Sequence, residues 1–294
     1  MTASLQRKKI GEGVYGEVFT INDEFAVKIF EDADDCTTEK AAYNHVRASS
    51  FFLKILQKTV SIDDIPPNRM MFMEYYPTME TLTVFMKKAR AVWGHPRWEK
   101  YCDTFVKIFH NILECLVFLT NNEFSHNDIK PDNILITPDG DIKLIDLGLL
   151  RKYGIGNEVV TIWWRSLRDT HNPYDPDDKT DIGSLWLITL EFLLPWQHCD
   201  IQEIDKGLRS IALVSRMESR RLMDNHILPE LTNLALIPHY GRKRGEMVTS
   251  LTGIIATIDN KLLSQKLSKI VTALITMGMT PIPSNPVAVL ESLT

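Results

Sequence analysis

The residues with the most chemistry to offer form one run. It reads His126-Asn127-Asp128-Ile129-Lys130-Pro131-Asp132-Asn133, with Asp146-Leu147-Gly148 further along the chain. Carboxylates at Asp128 and Asp146, a carboxamide at Asn133 and an ammonium at Lys130 suit phosphoryl transfer. That reaction asks for little covalent chemistry from a protein; it needs positioned metal ions and a carboxylate to orient the nucleophile. Asp128 can orient a hydroxyl and accept its proton. Asn133 and Asp146 offer the hard oxygen ligands that suit Mg²⁺, and Lys130 can neutralise charge on the transferred group. A single aspartate here would read as a surface cap in a polar turn. The whole string in this order is more than a turn requires.

Two further features belong with this run. Gly11-Glu12-Gly13-Val14-Tyr15-Gly16-Glu17-Val18 is a G-x-G-x-x-G-x-V pattern, whose glycines let backbone amides approach phosphates. Taken alone the pattern is also what a plain β-turn gives. A dinucleotide site would need a helix after Gly16, but the residues after it are strand-like. Lys28 lies in Phe25-Ala26-Val27-Lys28. Strand alternation puts it on the face of Ala26 and opposite Val27 and Ile29. A lysine on the cleft side of a strand can hold nucleotide phosphates as a point charge.

Positioning these groups falls to elements that are partly legible. The first ~75 residues are strand-rich, with a hairpin turn at Ile21-Asn22-Asp23-Glu24 and a strand over Phe25–Phe30. A helix is expected from Thr38 to Leu56 with Thr37-Thr38 as its cap. Met70 to Tyr75 reads as a short apolar strand. Phe105, Phe109, Ile112, Leu116 and Leu119 recur at helical spacing and predict an amphipathic helix over Asp103–Asn121. Ile134–Ile136 and Ile142–Ile145 flank Pro138-Asp139-Gly140 as a second hairpin. The expected fold class is α+β and bilobal. Residues 1–75 form a small antiparallel sheet lobe with one helix, and residues 76–294 form a larger, mainly helical lobe.

Composition narrows the function classes. Of 294 residues, 44% are hydrophobic and 24% charged, a balance typical of soluble globular proteins. A net charge of −5 gives no global attraction to nucleic acid or anionic membrane, and neither is expected as a partner. Cys36, Cys102, Cys115 and Cys199 have no C-x-x-C spacing and read as free thiols in a reducing compartment, cytoplasmic, nuclear or both. The N-terminal MTASLQRKKI carries no signal-peptide pattern. The most apolar stretch, Leu185–Trp196, is broken by Glu191 and too short to span a bilayer. Arg242-Lys243-Arg244 reads as a solvated loop before it reads as a nuclear-import patch.

Taken together, these motifs resemble the eukaryotic protein kinase family, with the likeness running from about Gly11 to about Leu293. The resemblance implies ATP and Mg²⁺ as cofactors and protein hydroxyls as acceptors. Gly11, Gly13 and Gly16 would cover the phosphates and Lys28 would contact them. Asp128 would be the catalytic aspartate, and Asn133 and Asp146 the metal ligands. The resemblance places the partner of Lys28 on the first helix, and Glu39 is the expected residue, because Tyr43 and Val46 share its helical face, whereas Glu31 precedes the helix; Phe51-Phe52-Leu53-Lys54-Ile55 then sits where the family places its next strand. The hinge would be Met73-Glu74-Tyr75-Tyr76. There the Glu74 carbonyl and Tyr76 amide would meet adenine, with Met73 as gatekeeper and Val18, Ala26 and Leu135 around the ring. Lys130, two places after Asp128, is similar to the serine/threonine kinases. The segment Asp146–Gly156 with Glu158-Val159-Val160-Thr161-Ile162-Trp163-Trp164-Arg165 resembles cyclin-dependent kinases, where an arginine in the Arg165 position favours proline after the phosphoacceptor.

Departures from that pattern bear on regulation. Asn127 replaces the arginine that usually grips a phosphate on the activation loop, and it has no charge with which to do so. The loop between Gly156 and Glu158 is shortened, leaving Asn157 where relatives carry an activating threonine. Both changes predict activity that needs no loop phosphorylation. Ser166-Leu167-Arg168 replaces Ala-Pro-Glu, and Asn285 stands near the place of its distant arginine partner, with Asp169 as a partial substitute. Losing both charges of a buried pair avoids the ~3–5 kcal/mol cost of keeping one. Asp181-Ile182-Gly183-Ser184-Leu185-Trp186 resembles the core helix of the large lobe, with Asp181 anchoring the catalytic loop and Trp186 in a usual glycine position. Leu147 replaces a phenylalanine. A pseudokinase scaffold and a small-molecule phosphotransferase are the competing readings. The intact Lys28, Asp128, Asn133 and Asp146 argue against the first, and the Thr161–Arg165 and Asp181 segments against the second. The first helix does not resemble a cyclin-binding helix, so a self-sufficient monomer is expected.

Overall fold

The computed structural model describes residues 6–13, 15–58, 60–62, 64–153, 178–193, 253–279 and 286–293. Its first part is a four-stranded antiparallel sheet ordered β1-β2-β3-β4, with β1 at Arg7–Gly13, β2 at Gly16–Ile21, β3 at Phe25–Phe30 and β4 at Met70–Glu74. The β2–β3 turn falls on Asn22 and Asp23, both left-handed at φ 52° and 54°. That conformation matches the twist of a tight hairpin and is one asparagine and aspartate tolerate.

Alternation along the strands divides the sheet into two apolar faces. Val18, Ala26, Phe30, Met71 and Met73 pack into the main core. Phe19, Ile21, Phe25, Val27, Met70 and Phe72 form a separate cluster on the other side, covered by Leu56, Val60, Ile62 and Ile65. Lys28 lies on the main-core side with Ala26, as the period of two requires.

Helix α1 spans Ala33–Val46, so it begins before the expected Thr38 and ends before Leu56. The cap is Asp32, whose carboxylate accepts from the Asp34 amide at 2.6 Å, with Asp34 and Asp35 in the positive first turn. Thr37 is inside the helix and donates its hydroxyl to the Ala33 carbonyl at 2.9 Å. The chain past Val46 leaves the helix because its backbone is needed elsewhere. Phe51 accepts from the Leu144 amide at 2.7 Å, and Leu56 donates to Phe72 at 2.8 Å. The strand expected at Phe51–Ile55 is an extended edge that pairs only at the isolated bridges Phe52↔Leu144 and Ile55↔Met73.

Beyond β4 come β5 (Glu80–Thr81), α2 (Leu82–Ala91) and α3 (Trp98–Asn121). Helix α3 starts one turn earlier than expected, because buried Trp98 and Cys102 extend the stripe of Phe105, Phe109, Ile112, Leu116 and Leu119. Each such Leu or Phe stabilises the fold by about 2 kcal/mol on burial. Against this stripe lie α4 (Asp178–Leu193), α5 (Lys261–Met279) and α6 (Pro286–Leu293). Phe192 of α4 stacks on Phe105 of α3 at 3.9 Å between centroids. Strands β7 (Ile134–Ile136) and β8 (Ile142–Leu144) form the second hairpin, and β7 also pairs with β5; β6 (Phe124–Ser125) pairs with β9 (Arg151–Lys152). Gly140 closes that hairpin at φ 90°. Among the described residues no helix is long and apolar enough to cross a membrane. Cys36, Cys102 and Cys115 are buried free thiols, and Cys199 lies outside the described residues.

Gly16 is the glycine the sheet cannot do without. Its φ is +148°, and a Cβ there would sit 2.1 Å from the Ile29 carbonyl oxygen, whereas one on Gly13 would meet nothing within 4 Å. Gly16→Ala is therefore expected to lower unfolding free energy by about 2 kcal/mol or more. Gly13→Ala should stay within about 1 kcal/mol of the parent. Denaturant titration of both variants checks the contrast, and equal losses would contradict it.

Candidate active site

Three elements converge on one ammonium group. Strand β3 delivers Lys28, α1 delivers Glu39 and the turn after β8 delivers Asp146. Lys28 Nζ lies 2.6 Å from Glu39 Oε2 and 2.8 Å from Asp146 Oδ1. Glu39 is 2% exposed at its side chain and Asp146 31%. Burial works to lower the Lys28 ammonium, but Glu39 and Asp146 outweigh it and hold the group above its ordinary range. Burial likewise works to raise Asp146, yet Lys28, then Lys130 and His126, pull it below the usual carboxylate range. Glu39 goes the other way: its deeper burial outweighs the pull of Lys28 and raises it. One cation shared between two carboxylates thus favours the more exposed of them.

The turn carrying Asp146 is itself held by α1. Asp146 adopts a left-handed φ of 61°. The Tyr43 phenol is buried beside this turn and held well above its ordinary range by that burial, with the Asp146 backbone opposing. The Leu147 backbone opposes the rise of Glu39 in the same way. Leu147 is fully buried, so leucine fills the place of the usual phenylalanine as a packing residue. Glu39 and Tyr43 share a helix face, as their spacing implied.

The second group of side chains stands on the loop after β6. Lys130 Nζ lies 2.8 Å from Asp128 Oδ2, and Asn133 Nδ2 donates to the same oxygen at 2.7 Å and to the Asp128 carbonyl at 3.0 Å. Asp128 Oδ1 is buried and has no hydrogen-bond partner among the described residues. A buried carboxylate oxygen left open in this way is costly unless something beyond the described residues uses it. The loop's backbone is fixed from below by Asp181 of α4. Its carboxylate accepts from the amides of His126 at 2.6 Å and Asn127 at 2.9 Å, and from Ser125 Oγ at 3.1 Å. Burial raises Asp181 even so, with His126 and these donors opposing.

The residues around the expected nucleotide sit on the same side of the sheet. Ala26 pairs with Met73 across β3 and β4; both are buried. Val18 and Leu135 pack partly buried against that cluster. Glu74 exchanges backbone and side-chain hydrogen bonds with Lys54, donating its amide at 3.0 Å and accepting the Lys54 amide at 3.0 Å. Tyr76 is 36% exposed, with Lys143 Nζ 5.7 Å from its ring centroid. Gly11 and Gly13 lie at the end of β1, and Gly16 begins β2.

Compared with models of known protein families, residues 5–279 match the protein kinase domain. The chain belongs to the protein kinase family. Its α+β, bilobal fold is therefore that of a kinase, and the family uses ATP with a divalent metal to phosphorylate protein substrates. Several residues singled out for regulation in this kinase lie outside the described residues: Asn157, Thr161, Arg165, Ser166, Leu167, Arg168, Asp169, Arg242–Arg244 and Asn285. Trp186 lies within α4. Nothing in the residue order warned of Ser125 beneath the loop or of the contact from Tyr43 to Asp146. Neither has a motif, and each arises from how α4 and α1 pack.

Removing Lys28 should expose the cost of this cluster. Lys28→Met leaves Glu39 without its cation, and a loss of about 3 kcal/mol is expected. Adding Glu39→Met should restore most of it, since the uncompensated charge is gone. A double-mutant cycle by denaturant titration measures this, and simple additivity of the two losses would refute it.

Proposed function

We propose that this kinase is a catalytically active serine/threonine protein kinase that transfers the γ-phosphoryl group of ATP to protein hydroxyls. The observation that supports this most is the asymmetry of Asp128. Lys130 and Asn133 occupy Oδ2, while Oδ1 is buried and unpartnered among the described residues. An acceptor oxygen preserved at that burial suits a substrate hydroxyl, which it would orient and whose proton it would take. A scaffold that only packs has no use for it.

In this reading Lys28 holds the nucleotide phosphates, Glu39 keeps Lys28 extended toward them, and Gly11, Gly13 and Gly16 bring backbone amides over them. Val18, Ala26 and Leu135 flank the adenine. The Glu74 carbonyl and Tyr76 amide bind its edge, with Met73 behind. Asn133 commits its Nδ2 to Asp128, which leaves its Oδ1 for a cation, and Asp146 keeps part of its carboxylate exposed for the same ion. This oxygen-only pair fits Mg²⁺. Bound Mg²⁺ would neutralise phosphate charge during transfer. Lys130 would offset charge on the moving group.

Lys130 supports serine or threonine as acceptor. The likeness of Thr161–Arg165 to cyclin-dependent kinases supports a preference for proline after the acceptor. Asn127 and the short Gly156–Glu158 loop support activity without loop phosphorylation, and the form of α1 supports a monomer that needs no cyclin. Residues 1–75 and 76–294 are the lobes we assign, in a protein of the cytoplasm or nucleus.

Labelled ATP, Mg²⁺ and a panel of generic protein substrates test the reading. Phosphoserine or phosphothreonine is expected, with Asp128→Asn slower by about a thousandfold. Nucleotide binding without any transfer would favour the pseudokinase. Phosphatase pretreatment should leave the rate unchanged; a loss traced to a phosphate between Asp146 and Thr161 would overturn phosphorylation-independence. A positional-scanning peptide library lacking a proline preference would remove proline direction.

A further inference from the structure

We propose that Asn127 is a positioning residue that latches the start of the activation segment onto the catalytic loop, a role that deepens the phosphorylation-independent reading above. Its side chain makes contacts its charge-free character did not foretell. Asn127 Nδ2 donates to the Leu149 carbonyl at 3.1 Å and to the Ser125 carbonyl at 3.1 Å. Its Oδ1 accepts from Ser125 Oγ at 3.2 Å, and its amide donates to Asp181 at 2.9 Å. The residue is 2% exposed and left-handed, at φ 65°. Asparagine is among the few side chains at ease in that backbone state, and one short enough to bond locally from it.

Leu149 lies three residues after Asp146, so the bond joins the loop that carries Asp128 to the stretch of chain that carries the proposed metal ligand. The attachment continues beyond it. Ser125 pairs with Arg151 and Phe124 with Lys152 in the β6–β9 ladder. The Tyr153 amide donates to the Glu123 carbonyl at 2.8 Å, and Lys152 lies 3.2 Å from Glu123. Arg151 turns back onto the carbonyls of Gly148 and Leu150 at 3.1 and 2.8 Å. An arginine at position 127 would need a phosphate to reach across to the segment. Asn127 reaches the segment's own backbone, and because it is buried the bond is shielded from water and salt.

Two variants of the full chain separate this from a structural role. Asn127→Gly takes the left-handed backbone without steric cost and deletes the donor. Asn127→Asp keeps the shape but turns the donor into an acceptor facing two carbonyls. Both are expected to lower kcat about tenfold with KM for ATP within about twofold. Hydrogen exchange should quicken at amides 149–153 and stay unchanged in α3. Unchanged kcat and unchanged exchange at 149–153 in both variants would overturn the latch. So would unfolding of both, or faster exchange throughout α3, because the residue would then serve the fold. If phosphatase silences the parent protein, the phosphorylation-independent reading fails, while exchange on the dephosphorylated chain still judges the latch. If the parent transfers no phosphate, exchange alone decides.

Discussion

A lysine ammonium at 9% side-chain exposure stays charged only where carboxylates come to meet it, and Lys28 draws two. They arrive from different elements, so the cluster constrains three backbones together. Helix α1 must lie against β3 closely enough for Glu39 to reach, and the turn after β8 must bend left-handed at Asp146 to present its oxygen. The same helix face, with Tyr43 and Glu39, then packs against the turn that carries Asp146 and Leu147. Any shift of α1 outward would strand a buried charge, and that cost keeps the sheet, the helix and the Asp146 turn in one arrangement.

The loop that carries Asp128 is held by a different means, through its backbone. Residues 125–128 make few ladder bonds, yet their amides are buried and need acceptors. Asp181 supplies those of His126 and Asn127 from α4, and α4 is held by the stacking of Phe192 on Phe105 and by the apolar stripe of α3. The carboxylate that carries the proposed chemistry is therefore positioned from the hydrophobic core upward. Core packing fixes α4, Asp181 fixes the loop, and Lys130 with Asn133 fixes the orientation of Asp128.

Much of this was legible beforehand because the signals are local. The Asn22-Asp23 turn, the period-two faces of β3 and the stripe from Phe105 to Leu119 depend on backbone preferences and burial within one element. The boundaries of α1 were misread because Thr37 and Asp32 are both competent caps, and the apolar run after Val46 suits a helix as well as an extended edge. Propensity could not choose; the demand of β4 and β8 for edge partners did. The second apolar cluster under Phe19, Val27 and Phe72 was equally hidden, since alternation shows that one face is buried and is silent about what covers the other.

The sequence by itself determined the set of reactive groups, because side-chain chemistry is written into residue order, and its motifs carried the resemblance that implied the family and Glu39 as the partner of Lys28. Tertiary structure alone decided how those groups share partners. It gave Lys28 to Asp146 as well as Glu39, filled Oδ2 of Asp128 while leaving Oδ1 without a partner among the described residues, and turned Asn127 from a missing arginine into a bond to Leu149. Such choices depend on distances between segments far apart in the chain. Those distances are set by core packing and by the need to satisfy every buried polar group at once, and no local pattern records them.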